Sequence, residues 1–469
     1  MTNLSSANTT EDNHSFKRHG RIIIGNMVIS LLLVWLLMFN GTTDAIAWTA
    51  GITLFTAIFW ITEAIPIPAA SLIPFLAFPL AGVLSHKQAA ASLGNHVIVL
   101  LMAAFMLSKA IERSEVHKRF ALFMIRVTGG RSAKRLVLAF MLTAASLSMW
   151  ISNSATTLML LPIAMAVLQP INDQRVTAAV LLGMAYAASV GGVGTPIGTP
   201  PNIIFMSVYQ ETTGTELAFI DWMMIGIPVV LIAIPIMALW LTRHLGALAA
   251  FDVPRVGPWQ TKEKTVLLIF GLVALAWMTR QLWSKALGME AVGDSTIALT
   301  GLILMFMIPS GDKQQRLLDW KTASDIPWGM LLLFAGGICV AKAFTASGLS
   351  DQIGDLLGSF SELPMLWLIL IICLFVTFLT EITSNTATAT LLMPILAVTG
   401  SAMGLDPAVL MMPAVISASC AFMLPVATAP NTIIYSTEKF TIRTMAREGA
   451  VLNVLLALVV TGVAYVSLV

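Results

Sequence analysis

Two stretches of the chain place polar residues where a membrane span should be apolar, and they do so in the same way. "WISNSATTLMLLPI" (residues 150–163) and "EITSNTATATLLMPI" (residues 381–395) each interrupt an apolar run with Ser, Asn and Thr. Residues 152–163 and 384–395, offset by 232 positions, agree at 7 of 12 sites. The constraint is severe only if the surrounding solvent is hydrocarbon, and composition settles that. The chain is 57% hydrophobic and 11% charged, against roughly 25% charged for a soluble domain. Runs such as "IIIGNMVISLLLVWLLMF" (residues 22–39) stay uncharged for long enough to cross a core of about 30 Å as a helix. An all-α polytopic membrane protein is therefore expected, with the lipid bilayer as a partner and nucleic acid not among its partners. The formal charge of +2 adds little. Residues 1–21 are expected to be a solvated cytoplasmic tail before a retained first span. Cys339, Cys373 and Cys420 all fall in apolar segments and suggest buried small residues, not a disulfide or metal framework.

Charge orients the spans. Crossings are predicted near 22–39, 46–62, 66–84, 97–112, 176–209, 222–242, 265–282, 295–309, 327–344, 408–437 and 449–468, about 11 in all. Segments 135–168 and 364–400 are treated as re-entrant hairpins because each is broken by its polar run. With the N-terminus inside, 21 Lys and Arg residues then fall on the cytoplasmic side, and only Lys87, Arg280 and Lys285 fall outside. Asp351, Asp355 and Glu362 join Glu211, Glu216 and Asp221 on the outer side. That is the bias the positive-inside rule demands. If either broken segment crossed once, every later loop would change sides. The C-terminus is then outside.

Five crossings separate the hairpins, so the two halves have opposite orientation. "SKAIERSEV" from Ser108 matches "AKAFTASGL" from Ala341, which pairs Lys109 with Lys342. "GTPPNII" from Gly198 matches "ATAPNTII" from Ala427. An inverted repeat with breaks in corresponding places is the architecture of many secondary transporters, whose sites lie at the breaks near the midplane. Each tip begins a returning half-helix with Ser and Asn, which are preferred N-cap residues. Its free N–H groups and partial positive charge suit an anion. Hydroxyl, amide and freed carbonyl oxygens at the same breaks suit Na⁺. The chain is divided at 22–130, 131–242, 243–264 (a cytoplasmic linker), 265–360 and 361–469.

"SNSATT" and "SNTATA", each followed by a "TPPN" or "TAPN" break, together with "WITEAIP" (60–66) and "MLPVATAPN" (423–431), resemble the paired Ser-Asn-Thr motifs of the divalent anion/sodium symporter family. The resemblance extends from about residue 22 to the end. It implies Na⁺-coupled transport of a dicarboxylate such as succinate, malate or fumarate, by an elevator movement of transport parts (131–242 and 361–469) against scaffold parts (22–130 and 265–360) within a homodimer; the short tail and compact loops suggest a bacterial inner membrane. It implies that Asn153, Ser154, Thr199, Asn385, Thr386 and Thr428 contact substrate. It places one sodium by Ser148, Ser152, Asn153 and Gly198, and another by Thr380, Thr383, Asn385 and Ala427, so two or more ions are expected. Ser154 stands where the family usually has Thr, and Ala429 where a second Pro is usual.

Other functions are weighed beside it. A cation-independent dicarboxylate exchanger and a sodium-coupled sulfate or tricarboxylate carrier would share the architecture. Glu63 and Glu381 are candidates for a proton-coupled carrier, against helix-end or hydrogen-bonding roles. An intramembrane hydrolase with Ser152 or Ser384 as nucleophile lacks a basic partner at membrane depth, and no enzymatic activity is expected. Thr156, Thr157, Thr388 and Thr390 are expected to bond to the preceding turn, and Lys109 and Lys342 to reach towards opposite membrane faces.

Overall fold

The computed structural model describes residues 4–128, 132–171, 173–246, 257–311, 315–350, 352 and 363–469. Arg131, Arg255, Lys313, Asp351, Asp355 and Glu362, used above to orient the chain, lie outside them. The described residues are helical throughout, apart from turns and one isolated bridge between Pro309 and Arg316.

The first half opens with α1 (Leu4–Phe39), in which the polar residues expected as a tail continue as helix into the first span. It proceeds through α2 (Asp44–Thr62), α3 (Ile67–Ala70), α4 (Ile73–Leu80), α5 (His86–Ala91), α6 (His96–Ser114) and α7 (Val116–Thr128). The hairpin α8 (Ala133–Ser148) and α9 (Asn153–Leu168) follows, then α10 (Gln174–Gly191), α11 (Pro200–Thr213) and α12 (Phe219–Thr242). The second half holds α13 (Thr261–Met278), α14 (Arg280–Ala286), α15 (Asp294–Met307), α16 (Trp320–Ala323) and α17 (Trp328–Ser347). Its hairpin is α18 (Met365–Leu379) and α19 (Asn385–Ala402), followed by α20 (Ala408–Ala418), α21 (Ala429–Tyr435) and α22 (Ile442–Leu468).

Among the described residues, seven helices are long and apolar enough to cross by themselves, or eight if the bent pair α13–α14 counts as one span. The remaining expected crossings are shorter or broken. Segment 66–84 is two short helices instead of one, each with a proline in its first turn and a further Pro79 inside α4. A proline ring supplies no N–H and is favoured at a helix start, so the chain restarts instead of continuing. At Thr279 the path turns by 77° into α14.

Local chemistry sets the other ends. Ser85 and Gln88 form a capping box on α5, Asn95 caps α6, and the Asp173 carboxylate accepts from the N–H groups of Arg175 and Val176 at the start of α10. Gly214, at φ +72°, stops α11 in a left-handed turn that a side chain would resist. Glu63 caps α2 with φ +50° and is exposed there, which is a helix-end role.

The hairpin arms α8 and α9 have 16 residues each, about 24 Å at 1.5 Å per residue. They are short for a full crossing and reverse at a four-residue tip, as the charge bias requires. Burial separates lining from core. The best span window of α10 is 89% buried, while that of α1 is 17% buried and presents its apolar side chains outward. The repeats exchange partners: α11 packs on α19 of the other half, and α21 packs on α9. That exchange brings the two tips together.

Candidate functional site

At the first tip, Ser152 caps α9 by accepting from the Ala155 N–H at 3.3 Å. Asn153, the first helical residue, is braced by Ser148 at the end of the incoming arm, whose Oγ donates to Asn153 Oδ1 at 2.5 Å. The same corner of the amide lies 3.2 Å from the carbonyl oxygens of both Ala188 and Gly198. Turned over, the amide nitrogen stands at that corner within donating distance of Ser148 Oγ and of both carbonyls, and the group is satisfied.

The second tip repeats the arrangement. Thr380 Oγ1 lies 2.5 Å from Asn385 Oδ1 and 3.1 Å from the Ala418 carbonyl oxygen, with one hydroxyl hydrogen for two acceptors. Ser148 and Thr380, and Asn153 and Asn385, are repeat-related pairs. Thr383, expected at the second sodium, donates to the Leu379 carbonyl and shares a 2.6 Å bond with Thr388.

Behind the tips, the unwound segments are fixed by two asparagines that sequence reasoning quoted within "TPPN" and "TAPN" but gave no role. Asn202 Nδ2 donates to the carbonyls of Gly192 and Thr195, and Asn431 Nδ2 donates to those of Ala421 and Leu424. Both residues are fully buried. Freed helix carbonyls are thereby paired without water, as hydrocarbon depth demands. The motif spacing contained the signal, but only the folded turns show which carbonyls each amide reaches. Gly198 is tightly placed: a Cβ there would stand 2.4 Å from the Gly192 carbonyl oxygen.

A cavity of about 830 Å³ joins the tips. Ser152, Asn153, Ser154, Gly198 and Thr199 line it from one half, and Ser384, Asn385, Thr386, Ala427 and Thr428 from the other. Ser148 and Thr380 lie behind the asparagines, outside the lining. The N-termini of α9 and α19 thus meet across one space, where their N–H groups favour an anion. Thr428 also caps α21, accepting from the Asn431 N–H at 3.2 Å.

The cavity continues past Lys109 and Glu112 of α6 to Asp325 and Pro327 at the start of α17. These residues belong to the side that the charge bias makes cytoplasmic, and Asp325 is largely exposed there. Lys109 reaches Glu112 at 3.3 Å and Asp325 at 3.1 Å, so it meets a carboxylate before it meets lipid headgroups. Nearby, Asp319 pairs with Arg113 and caps α16. The hydrogen bond from the Thr322 N–H holds its carboxyl below the usual range.

Glu381 does not line the cavity. It is buried, and its carboxylate accepts from the N–H groups of Phe422, Met423 and Leu424 and from Asn453 Nδ2, at 2.7 to 3.0 Å. Four donors make it a brace for the unwound segment. The threonines divide: Thr157 and Thr390 back-bond to Asn153 and Thr386 as expected, whereas Thr388 faces Thr383.

Comparison with known proteins agrees with this geometry. Residues 57–412 match the family model described as "Citrate transporter". The chain is 37% identical to the sodium-dependent dicarboxylate transporter SdcS of Staphylococcus saprophyticus, over 95% of this chain and 90% of that protein. It is 37% identical to the protein of the same name from Staphylococcus aureus, over 94% and 90%. Among solved structures, the Alcanivorax borkumensis YdaH transporter superposes with a TM-score of 0.59 at 14% identity, covering 81% of this chain and 86% of that one. Neisseria gonorrhoeae MtrF, described as one of a class of antimetabolite efflux pumps, gives 0.56 at 12%, covering 84% of each chain. At such identities these two speak for the fold alone.

Proposed function

This chain belongs to the divalent anion/sodium symporter family, and from that premise we propose that it couples Na⁺ to the uptake of a C4-dicarboxylate such as succinate, malate or fumarate. The observation that carries the proposal is the meeting of two half-helix N-termini, each opened by a repeat-related Asn, across one cavity. Na⁺ is coordinated by the neutral oxygens at the breaks, and the two N-termini with the hydroxyls of Ser154, Thr199, Thr386 and Thr428 receive the two carboxylates. The names of the staphylococcal relatives support both the ion and the class of anion. Membership of a transporter family replaces the hydrolase alternative. The names of the sodium-dependent relatives favour sodium coupling over a cation-independent exchanger, and the four donors on Glu381 favour a bracing role over proton carriage.

In mechanism, Na⁺ at Ser148, Ser152, Asn153 and Gly198, and at Thr380, Asn385 and Ala427, orders the tips before the anion arrives. Each Asn then offers its oxygen to the cation and its N–H to a carboxylate. Linkage requires substrate to raise Na⁺ affinity by the factor by which Na⁺ raises substrate affinity. The transport segments 131–242 and 361–469 carry the loaded site past the scaffold 22–130 and 265–360 in an elevator movement, within a homodimer of a bacterial inner membrane. The test is uptake of labelled succinate into proteoliposomes driven by Na⁺, Li⁺, K⁺ or a proton gradient alone, with Na⁺-dependent thermal stabilisation measured alongside. Asn153→Ala and Asn385→Ala should each fold and each lose both uptake and Na⁺ stabilisation. Variants that fold, respond to Na⁺ as the parent does and still transport would reduce the duplicated motif to a structural feature.

A further inference from the structure

The repeat pairs Lys109 of α6 with Lys342 of α17, yet the two lysines keep different company. Lys109 lines the open cavity and is held by Glu112 and Asp325, both of the scaffold segments. Lys342 lies on the opposite side of the membrane and faces Glu211 of α11, in the transport segment, at 3.9 Å. A second pair on that side also joins the two kinds of segment: Arg280 of α14 reaches Glu216, beyond α11, at 3.1 Å. So the side away from the cavity mouth is closed by carboxylates of the transport segment resting on cations of the scaffold. The pairs Lys109–Asp325 and Arg113–Asp319, at the mouth, join scaffold elements to each other.

From this we propose that Lys342 is the capture residue for the dianion at the outer vestibule, and that Glu211 is the group that occupies it when that side is closed. The inference rests on the functional reading above. When the transport segment moves outward, α11 carries Glu211 away, and Lys342 takes the place in the outer vestibule that Lys109 has in the inner one. There the resemblance ends. Lys109 keeps its two scaffold carboxylates, so the inner mouth bears a neutralised cation and lets the anion go. Lys342 gives up the carboxylate facing it and attracts the anion across low-dielectric walls, which focus its field. Capture is therefore stronger outside than inside, while the overall equilibrium remains set by the ion and anion gradients.

Sided transport by the full-length protein in oriented proteoliposomes tests this, with succinate as the probe. Lys342→Gln should raise the external KM by roughly fivefold to tenfold, with an effect that shrinks at high ionic strength. It should leave the internal KM unchanged. Lys342→Arg should restore the parental value, which a purely structural role would not predict for so different a head group. Glu211→Gln should lower the external KM, because the carboxylate that faces Lys342 among the described residues is then gone. If Lys342→Gln does not fold, Glu211→Gln decides alone: a lowered external KM supports the assignment and an unchanged one overturns it. An equal rise in both KM values for Lys342→Gln, or external values within about twofold of the parent for both variants, also overturns it. A parent that takes up no dianion removes the functional reading and this inference together. A fully active parent with insensitive variants removes this inference alone.

Discussion

The two halves of the site make the same break in a helix and share an asparagine brace, but their remaining supports differ. In the first half, Trp222 Nε1 donates to the Val193 carbonyl at 2.7 Å, and the Thr195 hydroxyl of the unwound segment donates to the Met149 carbonyl at the tip. In the second half, the segment presents N–H groups, and the Glu381 carboxylate collects three of them. Met149 and Glu381 are repeat-related, so one position is neutral and the other anionic. The first half brings two backbones close enough to require Gly198, whereas the second has Ala427 at the same place. A duplicated site thus needs its ligands kept but not its supports, since any partner that pairs the freed backbone groups will do.

Removing the supports is the most damaging way to probe that difference. Glu381→Ala strands buried N–H groups that had charge-assisted partners. It should cost about 3 to 5 kcal/mol and be read as lost folded protein or a lower melting temperature in detergent. Met149→Ala removes only packing and should cost about 1 to 2 kcal/mol. Equal losses would mean that the halves are not held differently after all.

The tight approach in the first half gives the next effect. Gly198→Ala drives a Cβ to 2.4 Å from a carbonyl oxygen, which neither backbone can yield without moving the oxygens at Asn153. Na⁺-dependent stabilisation should fall by at least about tenfold in apparent affinity, equivalent to roughly 1.4 kcal/mol. Ala427→Gly should change it by less than about threefold, since it adds backbone freedom and no clash. A tolerated Gly198→Ala would show that the close approach is not part of the sodium site.

The smallest effect sharpens the comparison at the ligands themselves. Ser154 and Thr386 are repeat-related cavity residues that differ by one methyl group. Ser154→Thr should shift the ratio of succinate to citrate uptake by an amount worth about 1 kcal/mol, at the low end for a methylene-sized change. Uptake of succinate itself should continue. An unchanged ratio across anions of different bulk would remove Ser154 from the site.

Much of this organisation was legible from the chain. The apolar runs required helices, the polar breaks required an enclosed lining, and their recurrence in register with "TPPN" and "TAPN" identified Asn153 and Asn385 together. These are local or repeating properties, and a bilayer enforces them because it offers no other partner to a peptide group. What remained hidden depends on distant segments meeting. The family resemblance implies Thr383 at a sodium, but nothing in the motif shows that its hydroxyl bonds the Leu379 carbonyl and Thr388. Asn202 and Asn431 stood inside quoted motifs, yet their service to carbonyls 7 and 10 residues back depends on how each turn unwinds. Segment 66–84 was apolar enough to pass for one span, and its prolines divided it.

By itself the sequence determined the solvent, the helical class, the duplication and the residues at the two tips, because hydrocarbon burial and helix capping act over a few neighbouring positions. Only the tertiary structure decided that the tips share one cavity, that Glu381 braces a backbone segment some 40 residues away, and that Lys109 and Lys342 face different partners. The shared cavity comes from the exchange of helices between the halves, with α11 on α19 and α21 on α9. The meeting of side chains more than 200 residues apart in sequence is fixed by packing geometry, on which the order of residues along either segment is silent.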